Sequence, residues 1–216
     1  MMDQSPSGMR TEGTMEKMDG KALSLHIESE IQSKVSQFTL KGLRAPKLVV
    51  LLVGDNPASV TYVKNKEKAC LRVGFGSEVI RMSADVQTED VLKVINQLNQ
   101  DITVDGILVQ LPIPKHLDVN RIIESLDPKK DVDGLHSINI AKLYANQEGF
   151  VPCTPRGIMT LLKHYKIEIS GKHAVVIGRS ALVGRPVAQL LLNENATVTV
   201  CHSKTRNLEK ITQMAD

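Results

Sequence analysis

The chain has 216 residues with 42% apolar and 24% charged content, but only 3% aromatics and no Trp, so its core is expected to be aliphatic. A formal net charge of +3, with no basic run interleaved with aromatics, argues against a nucleic-acid partner. No apolar run approaches the ~20 residues of a membrane span, and three widely spaced cysteines, Cys70, Cys153 and Cys201, suit a reducing compartment such as the cytoplasm rather than a disulfide framework or zinc site.

Residues 1–17 are polar, lack an apolar signal core and read as a disordered leader, although so short a piece does not exclude a mitochondrial address. Apolar residues at 23, 27, 31 and 35 predict a helix over 21–38, with Asp19 as its cap. The aliphatic run 47–54 predicts a strand covered on both faces. Residues 58–73 predict a second helix, in which 59, 62, 63, 66, 69, 70 and 73 share a face. Six of those are Ser, Tyr, Val, Ala, Cys and Val, and the seventh is Lys66. A lysine kept partly dry holds a neutral amine more readily and can carry a proton, and Tyr62 one turn earlier is placed to steady it. A lysine stem that runs along apolar surface with its charge in water fits the same pattern, so the helix alone does not decide.

Further strands are expected over 78–82 and 105–111, with a helix capped by Thr88 and carrying Glu89 and Asp90 in its first turn between them, and a short helix over 119–126 after them. This rhythm predicts βαβ units and a mainly parallel sheet. Periodicity fades over 127–155, which reads as the stretch between two domains. Thr154 then caps a helix with Pro155 at its first position, running to about Lys166. A second α/β unit follows: a strand over 173–177, a glycine turn from Gly178 to Gly184, a helix over 187–193, a strand over 197–201 and the start of a helix over 207–214. The expected division is a leader over 1–17, one α/β domain over 18–150 and a second over 151–216.

Ligands of open α/β sheets lie beyond the carboxyl ends of the strands, which directs attention to the Tyr62–Lys66 helix, to Gln110 and to Asp133 in the loop after it. Taken singly, Gln110 also reads as a strand-end residue and Asp133 as a turn residue. The glycine turn departs from G-x-G-x-x-G, since Ser180 and Val183 stand in two glycine positions, but it follows an aliphatic strand and opens a helix whose N–H groups can receive phosphate. No carboxylate follows at the distance a ribose-binding acid needs. Ser203, Lys204 and Arg206, with Arg179, instead suit a 2′-phosphate, which favours NADP over NAD.

Tyr62-Val-Lys-Asn-Lys66, Gln110-Leu-Pro-Ile-Pro114, Asp131-Val-Asp-Gly134, Pro152-Cys-Thr-Pro155, Gly178-Arg-Ser-x-x-Val-Gly-x-Pro186 and His202-Ser-Lys-Thr205 occur here in one order. In these six blocks the chain resembles the bifunctional methylenetetrahydrofolate dehydrogenase/cyclohydrolase family from about Met18 to Asp216. The resemblance implies an N-terminal, mainly parallel α/β/α substrate domain followed by a Rossmann-like dinucleotide-binding domain. It implies NADP-linked oxidation of 5,10-methylenetetrahydrofolate, hydrolysis of the methenyl product to 10-formyltetrahydrofolate, a place in one-carbon and purine metabolism, and a homodimer. Lys66 would transfer the proton in hydrolysis, Tyr62 would stack on the folate, Gln110 would tune Lys66, Leu111 would line the folate site and Asp133 would bind the pterin edge. Gly178, Arg179, Ser180, Gly184, Ser203 and Lys204 would hold the cofactor. The family continues with a further stretch that completes the second sheet, so a truncated second domain is expected, with an inactive or partly active folate- or nucleotide-binding fragment as the alternative. Tyr-x-x-x-Lys also occurs in short-chain dehydrogenases, but there the glycine turn precedes the pair.

Overall fold

A run of seven residues without a turn-former, Lys47–Val53, makes strand β1, and its last five residues are buried. They are buried because β1 is the centre of a three-stranded parallel sheet of order β2-β1-β3, in which β2 is Gly76–Met82 and β3 is Gly106–Val109. Side chains alternate across a strand, so Val49, Leu51 and Val53 enter one core while Val50 and Leu52 enter another. The first core is closed by helices α3 (Thr88–Gln100) and α4 (Val119–Glu124) through Val91, Ile95 and Ile122. The second is closed by Val63 of α2 (Pro57–Val73). Each such side chain contributes about 1.5–3 kcal/mol when fully removed from water. The structure is a computed structural model and describes residues 17–216, so the leader expected over 1–17 lies outside the described residues except for Lys17.

Helix α1 (Gly20–Leu40) precedes the sheet and is capped as expected by Asp19, whose carboxylate accepts from the Lys21 and Ala22 amides. The backbone N–H of Asp19 donates to the Tyr165 hydroxyl at 2.7 Å, which ties the start of α1 to the end of helix α6 (Cys153–His164). A second parallel pair, β4 (His173–Ile177) with β5 (Thr197–Cys201), packs under α6 and α7 (Gly184–Asn193) on Met159, Val187, Leu191 and Ala196. Helix α8 (Leu208–Thr212) is the last element, and among the described residues no helix is long and apolar enough to cross a membrane.

Four expectations require correction. Thr88 is the first residue of α3, not its cap: the cap position is Gln87, and the Thr88 hydroxyl accepts from the Asp118 amide at 3.2 Å. Likewise α6 begins at Cys153 behind Pro152, with no side-chain cap from Thr154. The stretch 127–155, in which no element was expected, carries helix α5 (Ser137–Tyr144). Finally, α7 starts at Gly184 rather than 187, so the glycine turn runs directly into the helix.

Asp105 anchors the entry to β3. Its carboxylate accepts from the Lys47 amide at 2.7 Å and from both Arg44 guanidinium nitrogens at 2.5 and 2.9 Å. The Arg44 hydrogen bond is the largest influence and, with the Lys47 amide, holds the carboxyl below its usual range. A carboxyl lowered in the folded state contributes stability above its unfolded value, roughly 3.9, and loses that contribution as pH falls through the folded value. Asp105→Asn is therefore expected to lower the chemical-denaturation midpoint at neutral pH, with the gap to wild type closing as the medium is acidified.

Candidate active site

The carboxyl ends of β1 and β3 meet at one edge of the first sheet. Beyond β1 the chain turns at Gly54, whose φ of +79° favours glycine, although an added Cβ would make only ordinary contact with Ala84 and Pro114. The Asn56 side chain then accepts from the Ala58 and Ser59 amides and starts α2. The inward stripe of α2 holds as expected at Ser59, Val63, Cys70 and Val73, which are buried, while Lys66 is half-buried. Tyr62 departs from it: the residue is 60% exposed and faces a cleft, and among the described residues no hydrogen bond joins it to Lys66. The stripe is not left behind at this end of the helix, since Ser59 and Val63 on either side are 1% and 0% exposed; Tyr62 lies at its edge and lines the cleft.

Lys66 reaches across to Gln110, donating from Nζ to Oε1 at 3.0 Å. Gln110 follows β3 directly, and its backbone N–H still donates to the Leu51 carbonyl at 2.9 Å. Its Nε2 donates to the Leu111 carbonyl at 2.7 Å, which leaves Oε1 as the atom that faces the lysine. Gln110 is only 8% exposed, so the amine is held by a buried amide rather than by bulk water.

Two carboxylates follow with different environments. Asp131 is 1% exposed and accepts from the His136 amide and from Asn139 Nδ2, both at 2.9 Å. It is a structural carboxylate that ties the loop to α5. Gly134 has φ +63° and sits so close to Phe150 that a Cβ would stand 2.7 Å from its carbonyl oxygen, so only glycine lets the loop pass. Asp133, between them, is half-buried in the wall of the cleft. Cys153, at the start of α6, brings its Sγ to 3.4 Å from Asp133 Oδ1. The residue keeps exposed surface, but its sulfur is turned onto the carboxylate, and burial first, then the Asp133 charge, push the thiol up to about 11.

Tyr62, Gln110, Leu111, Asp133, Cys153 and Leu182 line one cavity of about 350 Å³. The glycine turn of the second unit therefore shares a wall with the residues of the first. A larger cavity of about 790 Å³, beside Lys142 and Arg156, contains none of the candidate residues, and its size alone does not make it the site.

In the second unit, Gly178 has φ +140° and donates its N–H to the Cys201 carbonyl at 2.8 Å, so the turn after β4 lies against the end of β5. A Cβ at Gly178 would meet nothing within 4 Å, and the turn presents bare backbone to the space above it, as the approach of a diphosphate requires. The Ser180 hydroxyl accepts from the Val183 and Gly184 amides at 3.2 and 3.3 Å and so shapes the turn from within. A second turn, in which His202 N–H donates to Thr205 Oγ1 at 2.8 Å and Lys204 N–H to His202 Nδ1 at 3.2 Å, leaves Ser203, Lys204 and Arg206 exposed, as is Arg179. This donor set fits a phosphorylated dinucleotide.

Sequence reasoning missed Cys153, Asp131 and Asn139 as parts of the site. Cys153 and Asp131 stood inside two of the six blocks that carry the resemblance, but no role was attached to either; the contact of Cys153 with Asp133 spans 20 residues of chain.

The comparisons with known proteins agree with this geometry. Residues 18–133 match the family of the tetrahydrofolate dehydrogenase/cyclohydrolase catalytic domain, and residues 152–216 match its NAD(P)-binding domain. The bifunctional protein FolD of Campylobacter hominis is 54% identical over 202 residues, covering 94% of this chain and 71% of that protein. The crystal structure of the bifunctional FolD methylenetetrahydrofolate dehydrogenase/cyclohydrolase of Campylobacter jejuni superposes with a TM-score of 0.90 at 50% identity, over 92% of this chain and 71% of the other. The Trypanosoma brucei enzyme, solved with NADP cofactor and inhibitor, gives 0.87 at 35% identity, over 92% and 68%.

Proposed function

The chain belongs to the tetrahydrofolate dehydrogenase/cyclohydrolase family, and we propose that it oxidises 5,10-methylenetetrahydrofolate with NADP and hydrolyses the methenyl product to 10-formyltetrahydrofolate in the cleft between its two sheets. The observation that carries this reading is the Lys66 amine held at 3.0 Å from Gln110 Oε1 beside a cavity that Asp133 and the glycine turn also line.

Hydrolysis needs a water to add to the methenyl carbon and a group to take its proton. Lys66 is that group, with Gln110 fixing the direction of its amine. Return of that proton to the ring nitrogen and loss of the remaining hydroxyl proton to solvent let the carbon–nitrogen bond break and leave the neutral formyl group on the other nitrogen. Tyr62 offers the folate an aromatic face, Leu111 an apolar wall, and Asp133 an acceptor for the N–H groups of the pterin edge. Bound NADP supplies a hydride acceptor for the oxidation. The chain's part there is positioning: backbone at Gly178 and Gly184 admits the diphosphate, Ser180 keeps the turn in shape, and Arg179, Ser203 and Lys204 answer the extra phosphate.

We place the domain boundary near residue 150, the enzyme in the cytoplasm, and its working form as a homodimer. A non-catalytic fragment is not favoured, because the amide and the carboxylate line one cavity and the Lys66 amine is held against that amide.

Steady-state assays of this chain with 5,10-methylenetetrahydrofolate, read by the absorbance of reduced nicotinamide, test the proposal. Turnover with NADP is expected to exceed that with NAD by about tenfold or more, since a charge-assisted contact to the extra phosphate is worth about 1.5–3 kcal/mol. Equal rates would remove the 2′-phosphate assignment, and no turnover with either would remove the oxidation.

A further inference from the structure

We infer that Cys153 is a positioning residue for Asp133: its thiol donates to Oδ1 and leaves the carboxylate's other oxygen to accept from the folate. Three observations carry this. The sulfur lies 3.4 Å from Asp133 Oδ1 and 3.9 Å from the Val132 carbonyl, so the thiol proton is directed at acceptors of this one loop. Both residues line the cavity that also holds Tyr62 and Gln110. Among the described residues no other side chain donates a hydrogen bond to Asp133, although its neighbour Asp131 is held by an amide and a backbone N–H.

The donor and the acceptor belong to different parts of the chain. Asp133 sits in the loop beyond the first sheet, and Cys153 is the first residue of α6, the helix that packs against α7 of the cofactor unit. The contact therefore sets the carboxylate relative to the second unit as well as to the first. A thiol is a weak donor, and it acts as one only while protonated. Burial and the adjacent carboxylate, which push it up to about 11, keep it protonated across the physiological range. The surrounding charges act in opposite directions: Asp133 raises the thiol, whereas Lys66 and Arg156 lower it less strongly. The structure thus gives Cys153 the role of a neutral hydrogen-bond donor, not of a nucleophile.

The inference rests on the folate reading of the cleft, so two measurements separate them. In steady-state assays, Cys153→Ala is expected to raise KM for methylenetetrahydrofolate about fivefold with kcat within about twofold, and Cys153→Ser to recover most of the loss. A KM unchanged in the alanine variant, or equal losses in both variants together with a lowered unfolding midpoint, would overturn the inference. The second measurement needs no turnover: iodoacetamide labelling at mildly alkaline pH, mapped to Cys153 by mass spectrometry. Removal of the acceptor in Asp133→Ala is expected to speed labelling about tenfold, because the thiol loses both a partner and a neighbouring negative charge. Labelling at the wild-type rate would sink the contact whatever the cleft binds, whereas faster labelling in a chain without folate turnover would uphold the contact and remove the folate reading.

Discussion

Lys66→Ala is expected to lower kcat for methenyltetrahydrofolate hydrolysis by about 10²–10⁴-fold, the range for removal of a positioned acid–base group. The unfolding midpoint should move little, because the half-buried lysine contributes no side chain to either core of the first sheet. The size of the effect follows from the lack of a substitute. Gln110, its partner at 3.0 Å, has no proton to exchange near neutrality, and Tyr62 is 60% exposed with no bond to the lysine. NADP-linked oxidation should fall less, since hydride transfer depends mainly on how two bound molecules are placed. Loss of methenyl absorbance over time measures the hydrolysis. Hydrolysis within about tenfold of wild type would take the proton-transfer role away from Lys66.

Much of this site was legible in the sequence because the elements that carry it obey simple periods. The strands β1 and β4 lie where aliphatic runs place them, since a central strand or one packed under helices has little room for polar residues, and β5 lies where alternating Thr and Val mark a strand. Lys66 stood out because it interrupts an apolar stripe, and its reach to Gln110 follows from two adjacent strand ends. Helix α5 escaped for the opposite reason. The residues it buries are Asn139 and Leu143, four apart, while Ile138 and Ile140 are exposed at 47% and 38%. A polar residue turned inward and isoleucines turned outward invert the expected pattern, and the Asn139 amide is accounted for by its hydrogen bonds to the Asp131 carboxylate and the Pro128 carbonyl, both at 2.9 Å. Tyr62 was misjudged because residue spacing does not resolve the edge of a buried stripe: Ser59 and Val63 on either side are buried, while Tyr62 is 60% exposed. The Thr88 cap failed because the hydroxyl has a tertiary partner, the Asp118 amide, 30 residues away.

Gly184→Ala is the complementary experiment, and it is expected to abolish NADP-linked oxidation, by about 10²-fold or more, while hydrolysis survives within a few-fold. A Cβ at this position would stand 2.3 Å from the Gly178 carbonyl oxygen, 2.5 Å from its carbon and 2.8 Å from the Arg179 amide nitrogen. All three are backbone atoms, so no rotamer change relieves the contact, and the turn itself must open. That motion displaces α7 from Gly178, breaks the pairing of the Ser180 hydroxyl with the Val183 and Gly184 amides, and shifts Arg179 relative to the rest of the phosphate-binding set. A shift of about 1 Å in such a cradle suffices for a loss of that size. The amine, amide and carboxylate needed for hydrolysis lie on α2, at the end of β3 and in the loop beyond, and only Leu182 and Val183 of the turn touch the cavity beside them. Overpacking at the turn should also lower the stability of the second unit by about 1–3 kcal/mol, read as an earlier unfolding midpoint. Oxidation retained in Gly184→Ala would mean that the cofactor does not bind over this turn. Loss of both activities with an intact fold would mean that the two units share one catalytic apparatus instead of contributing separate parts.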